Sequence, residues 1–159
     1  MLNINRPITT ARHKLKHQKQ LLGVWQQRTL HLHEYQAAQV VHKYMVPIPK
    51  GHVAFNAHEA FNVARSFGLD YARKFVVKAQ VKVEGRTGGI FKESGFEGGI
   101  HATENISEVR TISDKMLGKK YVSDLTGADG YIVNCVYIQE QLQIDKELFL
   151  QISVDTHTQ

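Results

Sequence analysis

The sequence predicts an α/β (α+β) lobe in which a mixed sheet carries flanking helices. Three segments with apolar residues at helical spacing alternate with short Val- and Ile-rich runs. The 159 residues, 42% apolar and 22% charged, suffice for one hydrophobic core. Leu32, Tyr35, Gln36, Val40, Val41 and Tyr44 give a first helix over 32–45, which Pro47 and Pro49 end. A short strand follows at 52–55. Ala57, Ala60, Phe61, Ala64 and Phe67 trace a second helix that Gly68 stops. Residues 75–83 form the strongest strand candidate, and Gly85, Gly88, Gly89, Gly95, Gly98 and Gly99 then mark a loop that takes half of the 12 glycines. Asn105, with Glu108 three residues on, reads as a capping box for a third helix through Ile106, Val109, Ile112, Ser113 and Met116, ending at Gly118. Strands at 121–123 and 132–138 flank a turn at 127–130, and a last strand is expected at 148–154.

Charge divides the chain more sharply than its net +5 suggests. Arg6, Arg12, Lys14, Lys16, Lys19 and Arg28 precede the first acidic residue, Glu34, whereas the remainder is close to neutral. A basic N-terminal extension over 1–31 and a folded lobe over 32–159 follow. Physics supports two uses for the extension. It could lie on an anionic membrane as an amphipathic targeting segment, or it could dock on phosphates or an acidic neighbour, with Trp25 as an apolar anchor. A retained docking arm is the expectation. The single cysteine, Cys135, excludes an internal disulfide, and no apolar run is long enough to span a bilayer.

Lys78 is the residue with the most chemical promise. Strict alternation puts Val77, Ala79, Val81 and Val83 on one face of its strand, and Val76, Lys78, Gln80 and Lys82 on the other. One reading is a solvated lysine face. The other is a point charge aimed at an anion, with backbone N–H groups of the adjacent glycine loop closing over a phosphate. There is no Gly-x-x-x-x-Gly-Lys-Ser/Thr motif, so a P-loop is excluded. Glu140 and Glu147 follow the 132–138 strand and could accept hydrogen bonds from a ribose or a base. The pairs His13/His17 and His31/His33 lack acidic or thiol partners in sequence, and no metal site is expected.

The segments Leu32-His33-Glu34-Tyr35-Gln36-Ala37, Val46-Pro47-Ile48-Pro49-Lys50-Gly51, Val76-Val77-Lys78-Ala79-Gln80-Val81, Gly85-Arg86, Ser94-Gly95-Phe96-Glu97-Gly98-Gly99-Ile100-His101, Met116-Leu117-Gly118-Lys119-Lys120 and Lys146-Glu147-Leu148-Phe149-Leu150 together resemble the start of the β subunit of succinyl-CoA synthetase (succinate–CoA ligase), mitochondrial type. The resemblance implies the N-terminal lobe of an ATP-grasp fold. It implies Lys78 as the phosphate lysine, Gly85, Arg86 and Thr87 as the loop, Val136 to Ile138 as the base-binding hinge and Glu140 as a nucleotide contact; Glu147 matches a conspicuous family position. The family loop reads Ala-Gly-Gly-Arg-Gly, and this chain has Val83-Glu84-Gly85-Arg86-Thr87, so the nucleotide site is expected to be vestigial.

Family members are much longer, with a second lobe that supplies magnesium ligands. The expectation is therefore a non-catalytic structural subunit of a large mitochondrial assembly on the matrix side, either a respiratory-chain or ATP-synthase complex or the mitochondrial ribosome. The basic arm would meet other protein subunits or rRNA, no catalytic residue is assigned, and no cofactor is expected. The alternative is half of a split or truncated succinyl-CoA synthetase β subunit, ADP- or GDP-forming, which binds ATP or GTP with Mg together with the missing parts and an α subunit.

Overall fold

The computed structural model describes residues 31–68, 74–83, 86–150 and 152. The chain divides into two units, Met1–His31 and Leu32–Gln159. The basic extension, with Arg6, Arg12, Lys14, Lys16, Lys19, Trp25 and Arg28, lies outside the described residues, as do His13, His17, Glu84 and Gly85.

The elements of the second unit run α1 (Glu34–Lys43), β1 (Gly51–Ala54), α2 (Ala57–Ser66), β2 (Phe75–Ala79), β3 (Ile90–Phe91), β4 (Phe96–Glu97), β5 (Ile100–Thr103), α3 (Ile106–Met116), β6 (Lys120–Val122), β7 (Tyr131–Ile132) and β8 (Val136–Glu140). The class is the expected one, with two four-stranded sheets, β1-β8-β2-β5 and β4-β3-β6-β7, in place of a single mixed sheet. Every described strand pair is antiparallel.

Local chemistry sets the helix ends. The Gln36 side chain accepts from the His33 backbone N–H at 2.9 Å and opens α1. Asn56 caps α2 by accepting from the Glu59 N–H at 2.8 Å, and the Glu59 carboxylate reaches back to the Phe55 N–H at 2.8 Å. Asn105 caps α3 through the Ser107 N–H at 2.8 Å. Glu108 does not complete the expected box there, because its carboxylate accepts from the Thr103 hydroxyl, which itself accepts from the Asn105 N–H.

One continuous core lies on the face of the first sheet that α2 and α3 cover. Phe75, Val77 and Ala79 of β2, Val136 and Ile138 of β8 and Ala54 of β1 pack there with Ala60, Ala64, Val109 and Met116 of the helices; Phe91 and Tyr121 extend it into the second sheet. The opposite face carries α1.

Three expected strands differ. β2 stops at Ala79 rather than 83: past the ladder bond from the Ala79 N–H to the Gly99 carbonyl at 2.8 Å, the Ala79 carbonyl accepts from the Arg86 guanidinium at 2.8 Å instead of from a neighbouring strand. The 132–138 run is two strands in different sheets, since Val133 bonds to Gly118 and Lys119 and the chain crosses over there. The described residues Leu148, Phe149, Leu150 and Ile152 form no strand and are largely exposed. The glycine-rich stretch, read as loop, contains β3 and β4 and leads directly into β5.

Candidate functional site

Register brings the site together. Lys78 lies opposite Tyr137 and Val76 opposite Gln139 in the β2–β8 ladder, so Lys78, Tyr137 and Gln139 share the α1 face. There the Lys78 ammonium donates to Glu34 Oε1 and to Gln139 Oε1, both at 2.6 Å. Arg86 Nη2 donates to the other oxygen of the same carboxylate at 2.9 Å. The three side chains are only 19%, 20% and 29% exposed for Lys78, Arg86 and Glu34. Two cations on one carboxylate leave a net positive charge at this point.

Each member is held from a second direction. Arg86 Nη1 donates to the Ala79 carbonyl, and its backbone carbonyl accepts from the Gly99 N–H at 2.6 Å and the Tyr121 hydroxyl at 2.9 Å. The buried Gln80 amide accepts from the Tyr35 N–H at 3.4 Å and donates to the Lys78 carbonyl at 3.2 Å, latching α1 to β2 beside Glu34.

Burial alone would raise the Glu34 carboxyl, but hydrogen bonds from Lys78 and Arg86 and their charges outweigh it and hold the group below the usual carboxylate range. Burial, followed by the charges of Lys82 and Arg86, lowers the neighbouring His33 imidazole, which is therefore neutral at pH 7. Burial and the Glu34 charge push the Tyr137 phenol up.

A cavity of about 520 Å³ adjoins this cluster through Tyr35 and Tyr137 and runs between α1, the segment Ile48–Pro49–Lys50 and β1. That volume lies within the ordinary range for small-molecule sites. Its floor depends on Gly51, because a Cβ there would stand 2.2 Å from the Tyr137 hydroxyl oxygen. A second cavity, about 780 Å³, is lined by Thr87, Gly88, Gly89, Glu97, Gly98 and Asp124 among others.

The structure thus unites Lys78 and Arg86, and among the described residues it does not bring Thr87, Val136, Ile138, Glu140 or Glu147 to them. The Val136 and Ile138 side chains are wholly buried on the α2/α3 face. Glu140 points with them by alternation, and its carboxylate accepts from the Lys50 N–H at 2.9 Å. Thr87 is exposed at the second cavity, and Glu147 is exposed in a stretch without regular structure. Glu34 and Gln139 are site residues that sequence reasoning missed. The signal available for Glu34 was the need of a half-buried lysine for a counter-charge.

Among the described residues no group of three or more His, Cys, Asp or Glu side chains could hold a metal ion. No helix among the described residues is long and apolar enough to cross a membrane.

Comparison with known proteins matches residues 31–159 to the ATP-grasp domain. The chain is 40% identical over 131 residues to the β subunit of the ADP-forming succinate–CoA ligase of Rhodopseudomonas palustris, covering 81% of this chain and 32% of that protein. It is 42% identical over 132 residues to the same subunit of Rhodospirillum rubrum, with the same coverage. The mitochondrial subunit of Oryza sativa subsp. japonica is 36% identical over 139 residues, covering 86% of this chain and 32% of the relative. The chain therefore spans about a third of the length of the curated relatives it matches, in their N-terminal region. These relatives are named as ligase subunits, which favours the ligase alternative over a structural subunit of a mitochondrial assembly.

Proposed function

This chain belongs to the ATP-grasp domain family, and from that premise we propose that it is the N-terminal, phosphate-gripping lobe of a succinate–CoA ligase β-type enzyme. The observation that carries this reading is the convergence of Lys78 and Arg86 beside a ligand-sized cavity on the α1 face of the first sheet. A polyphosphate supplies the negative charge that this cluster lacks, and charge-assisted hydrogen bonds from an ammonium and a guanidinium are the strong ones available for it. The base and ribose occupy the cavity bordered by Tyr35, Pro49 and Tyr137. Phosphoryl transfer rests on metal-assisted charge neutralisation, so this lobe works with further polypeptide that supplies the metal ligands and with a ligase α subunit.

Titration calorimetry of the chain with ATP and with GTP, each with magnesium, tests the reading. Saturable binding is expected. Lys78→Ala removes one charge-assisted contact, about 1.5–3 kcal/mol, and weakens affinity by roughly tenfold to a hundredfold. Absence of saturable binding, or a Lys78→Ala variant that binds like the parent, refutes it. Co-purification with a succinate–CoA ligase α subunit, and succinate-dependent nucleotide turnover in that mixture, tests the partner.

A further inference from the structure

We propose that Glu34 is a positioning residue of the anion site, a carboxylate that draws the Lys78 ammonium and the Arg86 guanidinium to one point and leaves both with N–H groups to spare for a phosphate. The inference rests on the nucleotide reading above and adds the group that arranges it.

The donor arithmetic supports it. An ammonium has three N–H groups, and Lys78 uses one on Glu34 and one on Gln139. A guanidinium has five, and Arg86 places one on Glu34 and one on the Ala79 carbonyl. An incoming anion can therefore be gripped without displacing the carboxylate. Without Glu34, two half-buried cations approach each other uncompensated, and they separate or their side chains turn to water.

Glu34 is also poorly placed to swing away. It is the first residue of α1, with the Gln36–His33 bond on one side of it and the Gln80–Tyr35 bond on the other. Its two oxygens are divided between the two cations, one each. A carboxylate in the first helical turn is favourable for the helix dipole by itself. That effect explains neither the division of the oxygens nor the reach across 44 and 52 residues of sequence.

The test compares the parent chain with Glu34→Gln and Glu34→Asp. Binding of magnesium-free ATP is read by calorimetry at low and high salt, and the melting temperature of each protein is measured alongside. Glu34→Gln is expected to weaken ATP by at least about tenfold, and Glu34→Asp, which keeps the charge but shortens the bridge, to fall between. In the Glu34→Gln background, Arg86→Ala is expected to cost less affinity than in the parent, because the arginine is already out of place. A Glu34→Gln protein that melts within about 2 °C of the parent and binds ATP as tightly or more tightly overturns the inference while leaving the nucleotide reading intact. If Glu34→Gln does not fold, Glu34→Asp decides, and affinity equal to the parent overturns it. A parent chain that binds no ATP at either salt overturns both.

Discussion

Replacing Tyr121 by Phe takes one oxygen from the centre of the fold and leaves the ring. Tyr121 is wholly buried, its ring centroid 5.2 Å from that of Phe91, so the variant keeps the packing and opens no cavity larger than the hydroxyl. The hydroxyl lies 2.9 Å from the Arg86 carbonyl and 3.1 Å from the Gly88 carbonyl, and its single proton serves one of them at a time. The Arg86 carbonyl keeps the Gly99 N–H at 2.6 Å, and Gly88 is exposed to water. Neither acceptor is orphaned, so the cost is that of one ordinary hydrogen bond, about 1 kcal/mol. With a urea m-value of about 2 kcal/mol/M, the unfolding midpoint falls by about 0.5 M. Tyr121→Ala, which empties the ring site, costs about 3–5 kcal/mol. Urea titration followed by circular dichroism compares the three. A Phe variant indistinguishable from the parent, or one as unstable as the Ala variant, refutes the view that the hydroxyl ties down the segment carrying Arg86.

Gly51→Ala forces a methyl carbon to within 2.2 Å of the Tyr137 hydroxyl oxygen and 2.4 Å of its ring carbon, an overpacking cost of about 1–3 kcal/mol that thermal unfolding would register. Asn105→Ala removes the α3 cap and costs about 1 kcal/mol by urea titration, whereas a Ser at this position retains most of the stability. The depressed Glu34 carboxyl contributes stability that is fully present above the ordinary value of 4.5 and is lost as pH falls through its lower folded value. The stability gap between the parent and Glu34→Gln therefore narrows between about pH 5 and pH 2, and a constant gap over that range contradicts the ion-paired geometry. The Tyr121 phenol is raised by burial, against the opposing charge of Arg86, so the unfolded chain ionises first and stability declines as pH rises past about 10; Tyr121→Phe removes its share of that decline.

What could be read from the sequence was whatever a single element specifies for itself. Gly68 announces the end of α2 and Asn105 and Gly118 the two ends of α3, and the alternation of Val76, Val77, Lys78 and Ala79 separates the two faces of β2. Pairing between distant segments was not legible. Glu140 was the carboxylate expected at the nucleotide; the register that sets Lys78 opposite Tyr137 puts Gln139 on the Lys78 face and Glu140 on the other. A one-residue difference along a strand exchanges its faces, and no single strand states its own register. Two-residue strands such as β3 and β4 are too short to show any period, which is why the glycine-rich stretch reads as loop.

The glycines of that stretch have a use other than cradling a phosphate with their own N–H groups. The Gly99 N–H is spent on the Arg86 carbonyl and the Gly98 N–H on the Gly89 carbonyl, so both are already paired within the fold. Their small size is what the site needs. A Cβ on Gly99 would stand 3.1 Å from the Arg86 carbonyl oxygen, and Gly98 holds a left-handed φ of 76° while receiving the His101 imidazole on its carbonyl. The segment folds back tightly enough to deliver the Arg86 guanidinium to Glu34, across 52 residues of sequence. On the proposed reading, the grip on phosphate comes from Lys78 on β2 and Arg86 in the turn that follows, both paired to Glu34 on α1, with the glycines allowing the close turns that bring the arginine there. Anion affinity should then follow Lys78, Arg86 and Glu34, and be insensitive to side chains added at Gly88, where a Cβ meets nothing within 4 Å.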